Sequence, residues 1–382
     1  MNNLIFLILC IFLYGGIQAK PDEIPGRTAL DNFPLIDGHN DLPLNLLKLY
    51  HNKLEKYNFH EDWKSNPLAA NCGHCHTDFP KLKQGKLGAQ FWSAYINCQH
   101  SKNQVAETID QIDVIKRLVH KYRDDLHFST RSDDILTAFQ QKKIASFIGV
   151  EGGNSIDNRL SVLRAYYDLG VRYLTLTHSC NLDWADSSII DNDAYSPKKN
   201  LTDFGKAVVL EMNRLGMLVD LSHVSKNVMI EAIGVSRAPI IFSHSSSRFV
   251  YNHTRNVDDD VLKLLKENGG IIMVNFFPSF VGDNGSISDV ADHINHIVDV
   301  TGADHIGIGA DFDGIPTTPT GLKDVSEYPN LFDLLRKQNP ERWTIENLEK
   351  LAGRNFVKVF KKVEDVKLEL INESPREDVI NN

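Results

Sequence analysis

Eight short runs rich in β-branched and aromatic residues recur along the 382-residue chain, separated by longer amphipathic stretches. They are Pro34 to Ile36, Phe91 to Ile96, Ile144 to Val150, Tyr173 to Leu176, Leu218 to Leu221, Ile240 to Phe242, Ile271 to Val274, and His305 to Ile308. Strands that alternate with helices are joined by crossovers and therefore pair in parallel. Eight of them predict a closed (β/α)8 barrel of the TIM type, an α/β fold. Ile109, Ile112 and Val119 keep helical spacing across Val105 to Tyr122, and similar patterns run from Phe204 to Leu215 and from Asp259 to Lys266. The segment from Leu46 to Lys86 is polar and too long for an ordinary connection, so it is expected to form an elaborated loop near the mouth.

In a parallel barrel all strand C-termini share one rim, where residues remote in sequence converge. Six of the eight runs end close to a metal ligand, acid or base: His39 and Asp41, Glu151, His178, His223, His244, and Asp311. His39 and Asp41 are two apart on a strand end, so both side chains leave on one side and could grip one ion. Taken alone, a His-x-Asp triplet reads more readily as a hydrogen-bonded cap. Glu151 follows an apolar strand and precedes Gly152-Gly153, where backbone can approach closely. Its two oxygens suit it to bridge cations held about 3.5 to 4 Å apart, as in two-metal hydrolases; pairing with a barrel Arg or Lys is the competing reading. His223 and His244 occupy equivalent places after consecutive strands, and neutral imidazoles are common zinc ligands. Together these positions predict a binuclear metal site at the C-terminal ends of the strands.

The motifs around these residues are IDGHNDLP at 36–43, GVEGG at 149–153, LTLTHSCN at 174–181, DLSHVS at 220–225, FSHSS at 242–246, RNVDDDVL at 255–262 and GIGADFDG at 307–314. Through them the sequence resembles the membrane dipeptidase (renal dipeptidase) family over about residues 30–365. The resemblance implies that His39 and Asp41 bind one Zn2+, that His223 and His244 bind a second, and that Glu151 bridges the two. It implies that His178 holds the substrate and its tetrahedral intermediate, that Arg255 takes the terminal carboxylate of a dipeptide, and that Asp311 handles protons. An Arg fork matches a carboxylate bidentately. Of the pair in Asp311-Phe312-Asp313, Asp311 is taken as the catalytic one, and Asp313 is expected to point away on a strand and make structural hydrogen bonds. The implied reaction is attack on the peptide bond of a dipeptide by a metal-bridged hydroxide, with Glu151, His178 and Asp311 as catalytic groups.

Three positions depart from the family pattern: Leu44 where Trp is common, Asn154 where His often follows EGG, and Phe280 where a Tyr is expected near the carboxylate. They bear on substrate preference rather than on the metal ligands. The resemblance also implies a Cys98–Cys180 disulfide, and a homodimer, if formed, without a C-terminal interchain disulfide. Cys72-Gly-His-Cys75-His76 could be a zinc or redox motif, but a local disulfide is the preferred reading.

An apolar run from Leu4 to Tyr14, followed by Gly15, Gly16 and Ala19, reads as a signal peptide over 1–19; an uncleaved anchor competes because no Lys or Arg precedes it. The barrel domain is expected over 30–372 and a polar tail over 373–382, without the hydrophobic ending of a GPI signal. Loss of Cys10 with the leader leaves four cysteines, an even set suited to export. Sequons at Asn200, Asn252, Asn284 and Asn372 fit a secreted, extracellular glycoprotein. A net charge of -9 argues against nucleic acid as a partner. The functional alternatives are a non-catalytic metal-binding barrel acting as receptor or scaffold, and a related hydrolase with a shifted substrate such as a β-lactam or lactone.

Overall fold

The computed structural model describes residues 24–380, apart from 70–71, 99–102, 194, 196, 198–199 and 284. The expected leader at 1–19 and the sequon at Asn284 lie outside the described residues. Among the described residues nine strands are formed: β1 (Leu35–Asn40), β2 (Leu87–Tyr95), β3 (Leu126–Phe128), β4 (Ile144–Glu151), β5 (Val171–Thr175), β6 (Leu218–Asp220), β7 (Ile241–Phe242), β8 (Ile271–Val274) and β9 (Ile306–Ile308). Eight of them close a parallel ring in the order β2-β1-β9-β8-β7-β6-β5-β4, sealed by β2 against β4. Helices fill the connections, so the fold is the (β/α)8 barrel expected. β3 stands outside the ring. It pairs with residues 144–146 of β4, on the edge that β5 takes over from Ile148.

The period of two divides the core into an inner and an outer part. Ile36, Ala89, Phe91, Ala145, Phe147, Tyr173, Leu218, Ile241, Ile271 and Met273 pack together inside the barrel. Their strand neighbours, among them Trp92, Ile148, Leu174, Val219, Phe242 and Ile272, pack outward with the helices. Phe91 stacks on Phe147 and on Tyr173, at 4.8 and 5.1 Å between ring centroids. Gly149 makes room for this column: a Cβ there would lie 2.0 Å from the Tyr173 ring. The last helix, Asn355–Glu369, plugs the opposite end of the barrel from the rim with Phe356 and Phe360 against Phe91 and Phe147.

Following the same alternation upward, the inner positions above this apolar layer are Glu151, Thr175, Asp220, Ser243 and Asn275. A polar floor therefore forms where the strands end. β1 departs from strict alternation, because the four residues from Asp37 to Asn40 oppose three on β2, Gln90 to Trp92. This irregularity lets His39 join the inward set, the re-aiming that a bulge provides.

The expected helices appear as Gln104–Lys121, Asp203–Leu215 and Asp259–Asn268. Asn103 and Thr202 cap the first two through side-chain acceptors, and Gly216 and Gly269 end the latter two in left-handed conformations. The segment 46–86 is more ordered than its polarity suggested. Tyr50, Tyr57, Phe59, Trp63 and Phe79 cluster within it, and Thr77 reaches Asn40 and Asp313 at the rim. The disulfides Cys72–Cys75 and Cys98–Cys180 are both formed. No helix among the described residues is long and apolar enough to cross a membrane.

The polar tail is tied to the barrel through Arg376. Arg376 donates its N–H to Glu211, and its carbonyl accepts from Arg164 at 3.0 Å. Glu211 is buried beneath Arg164 and Arg214, at 3.0 and 2.8 Å. Burial opposes its ionisation, but Arg214, the Arg376 amide and Arg164 together hold its carboxyl below the ordinary range. A depressed carboxyl stabilises the fold above the unfolded-state pKa of about 4.3, and that contribution fades as pH falls through the folded value. Glu211→Gln is therefore expected to destabilise by about 2 kcal/mol at pH 7, at the modest end for a buried pair because both Arg side chains are partly exposed. In urea titrations the gap from the parent should narrow below pH 4; a pH-independent gap would contradict the assignment.

Candidate metal centre and substrate cleft

Glu151 ends β4 on the inner face and is nearly inaccessible, with 4% of its surface exposed. Its two oxygens face different partners. Oε1 lies 3.0 Å from His223 Nε2 and 3.3 Å from His244 Nε2, while Oε2 lies 3.6 Å from His39 Nε2. His39 Nε2 is in turn 3.2 Å from Asp41 Oδ2. Three sets of ligand atoms each lie within 4.8 Å of one another: His39, Asp41 and Asp311; His39, Glu151 and His244; and Glu151, His178 and His223. The structure thus brings all five residues expected as ligands to one point, with His178 and Asp311 beside them.

The protonation pattern suits a cation. Asp220 Oδ2 accepts from Ser243 Oγ at 2.6 Å and from Thr175 Oγ1 at 2.5 Å, and Oδ1 accepts the Ser222 and Ser243 amides. Since Ser243 gives its proton to Asp220, it accepts from His244 Nδ1 at 2.8 Å. A neutral His244 then turns its Nε2 lone pair on Glu151 and, at 2.9 Å, on His223 Nε2. Burial, with the charges of His39 and Arg255, holds His244 well below its ordinary pKa; burial, Arg255 and His178 do the same for His223. Burial also opposes ionisation of Glu151, yet His39, His178, His223 and His244 keep it well below the usual carboxylate range. Lone pairs converging on a carboxylate repel unless a cation lies among them, so the donor set fits a divalent metal. His39 is oriented from behind by Tyr173, whose Oη is 2.8 Å from Nδ1.

Backbone strain places two of the rim groups. His223 and Asp311 have φ of 70° and 67°, left-handed values that side-chain-bearing residues seldom adopt. The amide of Ser188 binds the His223 carbonyl at 2.7 Å and pins that turn. Asp313 also has positive φ, so Asp311 and Asp313 are separated by a turn and not by the strand pleat expected; β9 ends at Ile308. Asp313 nevertheless takes the structural part, accepting from Asn45 and Thr77. Asp311 Oδ2 accepts from Asn275 at 2.9 Å. Burial, opposed by His39 and reinforced by Asp41 and Glu151, pushes Asp311 up to about 8.

These groups open into a cleft of about 930 Å³ that is also lined by Leu44, Tyr95, His178, Arg255, Phe277 and Phe280. Arg255 is 7% exposed and has no carboxylate partner among the described residues. Its Nη2 donates to the His244 carbonyl at 3.2 Å, its guanidinium lies over Phe280 at 5.3 Å, and its Nε has no protein partner. A buried guanidinium so placed calls for an anion. His178 packs on His223 at 4.3 Å and leaves Nδ1 without a protein partner. Asn154 is buried beside Gly152 with neither amide atom partnered, and it does not line the cleft.

The groups that sequence reasoning missed are those behind the ligands: Asp37, Tyr173, Asp220, Ser243 and Asn275. Asp37 accepts the His39 and Ala310 amides at 3.0 Å and the Tyr328 hydroxyl, locking β1 to the turn after β9. An aspartate inside an apolar run, as in Leu218-Val-Asp-Leu221, was the available signal, because a buried charge demands several partners. Nothing local marks Tyr173. Ser243→Ala should loosen metal about 10- to 100-fold, the usual effect of removing a group that orients a ligating histidine. Competition against a chelator of known affinity measures this, and unchanged retention would rule out the Asp220–Ser243–His244 relay.

The model of the membrane dipeptidase family (peptidase family M19) matches residues 26–374. The chain is 44% identical over 352 residues to an uncharacterised dipeptidase of Schizosaccharomyces pombe, covering 88% of this chain and 82% of that protein. It is 43% identical to dipeptidase 3 of Rattus norvegicus, covering 91% of this chain and 69% of that one. Among solved structures, the probable dipeptidase PvdM of Pseudomonas aeruginosa superposes with a TM-score of 0.78 at 21% identity, covering 89% of this chain and 98% of that one. A metallopeptidase of Rhodobacter sphaeroides, solved with a phosphinate mimic of L-Ala-D-Ala, gives 0.74 at 23%, covering 87% of this chain and 99% of that one. At that identity the two structures speak for the fold, whereas the family match spans nearly the whole described barrel. The chain therefore belongs to the membrane dipeptidase family, peptidase family M19, and is a hydrolase of the dipeptidase class.

Proposed function

We propose that this protein is a two-zinc dipeptidase. One observation carries the reading: the two oxygens of Glu151 are divided between His39, itself beside Asp41, and the His223–His244 pair. His39 and Asp41 would hold one ion, His223 and His244 the other, and Glu151 both. Such ions supply Lewis acidity, which activates water and polarises the peptide carbonyl. Arg255 receives the free carboxylate of the substrate, and its charge, lacking a carboxylate partner among the described residues, makes that end obligatory. Asp311, beside the centre and oriented by Asn275, takes the proton of the attacking water and passes it to the departing amine. His178 offers a ring N–H to the oxygen on which negative charge develops. Length selectivity follows from the fixed separation between Arg255 and the reacting centre.

The same reading places the mature protein outside the cell as a glycoprotein. Two disulfides and the exposure of Asn200, Asn252 and Asn372 support it. The enzymatic test is amine release from dipeptides and matched tripeptides, with added zinc and with chelator. Chelator-sensitive cleavage confined to dipeptides is expected; cleavage that survives complete metal removal would refute the reading.

A further inference from the structure

The ring order places β2 four strands from β7, directly across the barrel. Arg255 follows β7, and the helix Gln104–Lys121 follows β2, so the two stand on opposite walls of one cleft. At about 930 Å³ the cleft is near the upper end of the roughly 300–1,000 Å³ usual for small-molecule sites, more than a small dipeptide fills. The far wall is built from Glu107, Asp110 and Gln111 on that helix, and from Leu44, Leu47 and Lys48 on the helix Leu42–Tyr50.

Glu107 and Asp110 are exposed and three residues apart, so their carboxylates share a face. Neither has an ion-pair partner among the described residues. Gln111 supplies an independent indication: the residue is fully buried, it lines the cleft, and neither of its amide atoms has a protein partner. A buried amide left so is stabilised by a hydrogen-bonding group arriving from the cleft.

We infer that this wall is a subsite for the side chain of the amino-terminal residue, and that it selects dipeptides beginning with a long basic residue. The inference rests on the proposed dipeptidase reading. With the terminal carboxylate on Arg255 and the peptide bond at Glu151 and Asp311, the first residue of a dipeptide extends toward the far wall. An aliphatic stem lies along Leu44 and Leu47, as lysine and arginine stems do on apolar surface. The cationic head meets Glu107 and Asp110, and Gln111 accepts one of its N–H groups. Lys48 opposes the cation with one charge against two, which leaves the wall net acidic.

The test compares kcat/KM of the zinc-loaded full chain for Lys-Ala, norleucyl-Ala, Ala-Ala and Glu-Ala. Lys-Ala should exceed norleucyl-Ala, which has the stem without the charge, by about tenfold, most of it in KM. E107Q/D110N should bring that ratio to about one, and E107K/D110K should reverse it in favour of Glu-Ala. Both positions are exposed, so these variants test recognition and not folding. Equal rates for Lys-Ala and norleucyl-Ala, or a preference that survives E107Q/D110N, would overturn the subsite while Ala-Ala cleavage still upheld the dipeptidase. Failure to cleave any dipeptide would overturn the dipeptidase reading and the subsite with it.

Discussion

Glu151→Gln is expected to lower kcat/KM by at least about 10³-fold and to leave the protein unable to retain two zinc ions. The substitution preserves volume, so the barrel should fold. It replaces one ligating oxygen with an amide N–H2, which cannot donate a lone pair to a metal. Because Oε1 faces His223 and His244 while Oε2 faces His39, either orientation of the amide spoils one of the two centres. The parent should gain thermal stability with zinc, since a ligand bound only by the native state raises Tm. The variant should gain much less. Metal content after dialysis, melting with and without zinc, and turnover at excess zinc report together; two retained ions with parental turnover would show that Glu151 does not bridge.

The second large effect lies at the other end of the substrate. Arg255→Met keeps most of the side-chain volume over Phe280 and removes the charge. Truncating one partner of a buried, hydrogen-bonded charge pair costs about 2–5 kcal/mol, so kcat/KM should fall about 30- to 4,000-fold, mainly through KM. Dipeptides with an amidated terminus, poor substrates for the parent, should become comparable to free dipeptides in the variant. Lysine in this place restores charge without the planar fork and should rescue only part of the loss. A variant that still rejects amidated dipeptides would show that another group reads the carboxylate.

The barrel was legible because each of its eight strands carries enough apolar residues to show against polar helix ends. β3 was not, since Leu126-His-Phe128 is three residues long and exists as a strand only because β4 offers an edge below the start of β5. β1 runs four residues beyond its apolar start, through Asp37-Gly-His-Asn40, where polarity masks the strand. The candidate metal ligands could be read because the rim collects whatever follows the strands. Their supports could not: Tyr173 reaches His39 across 134 positions, and Tyr328 reaches Asp37 across 291. No local pattern encodes such pairs. The segment 46–86 misled for another reason, since its aromatic residues are spaced without a helical or strand period and pack only after the chain has turned.

The left-handed backbone at His223 and Asp311 bears on how this protein can evolve. Each is a position where glycine would relieve steric strain, and each bears a group that gathers at the centre. Substitutions to glycine there ease the main chain while erasing chemistry. A lineage or a mutant library held only to the requirement of staying folded would therefore drift toward a sturdier barrel with an empty rim. Side chains at both positions are what selection for turnover, as distinct from selection for stability, would favour.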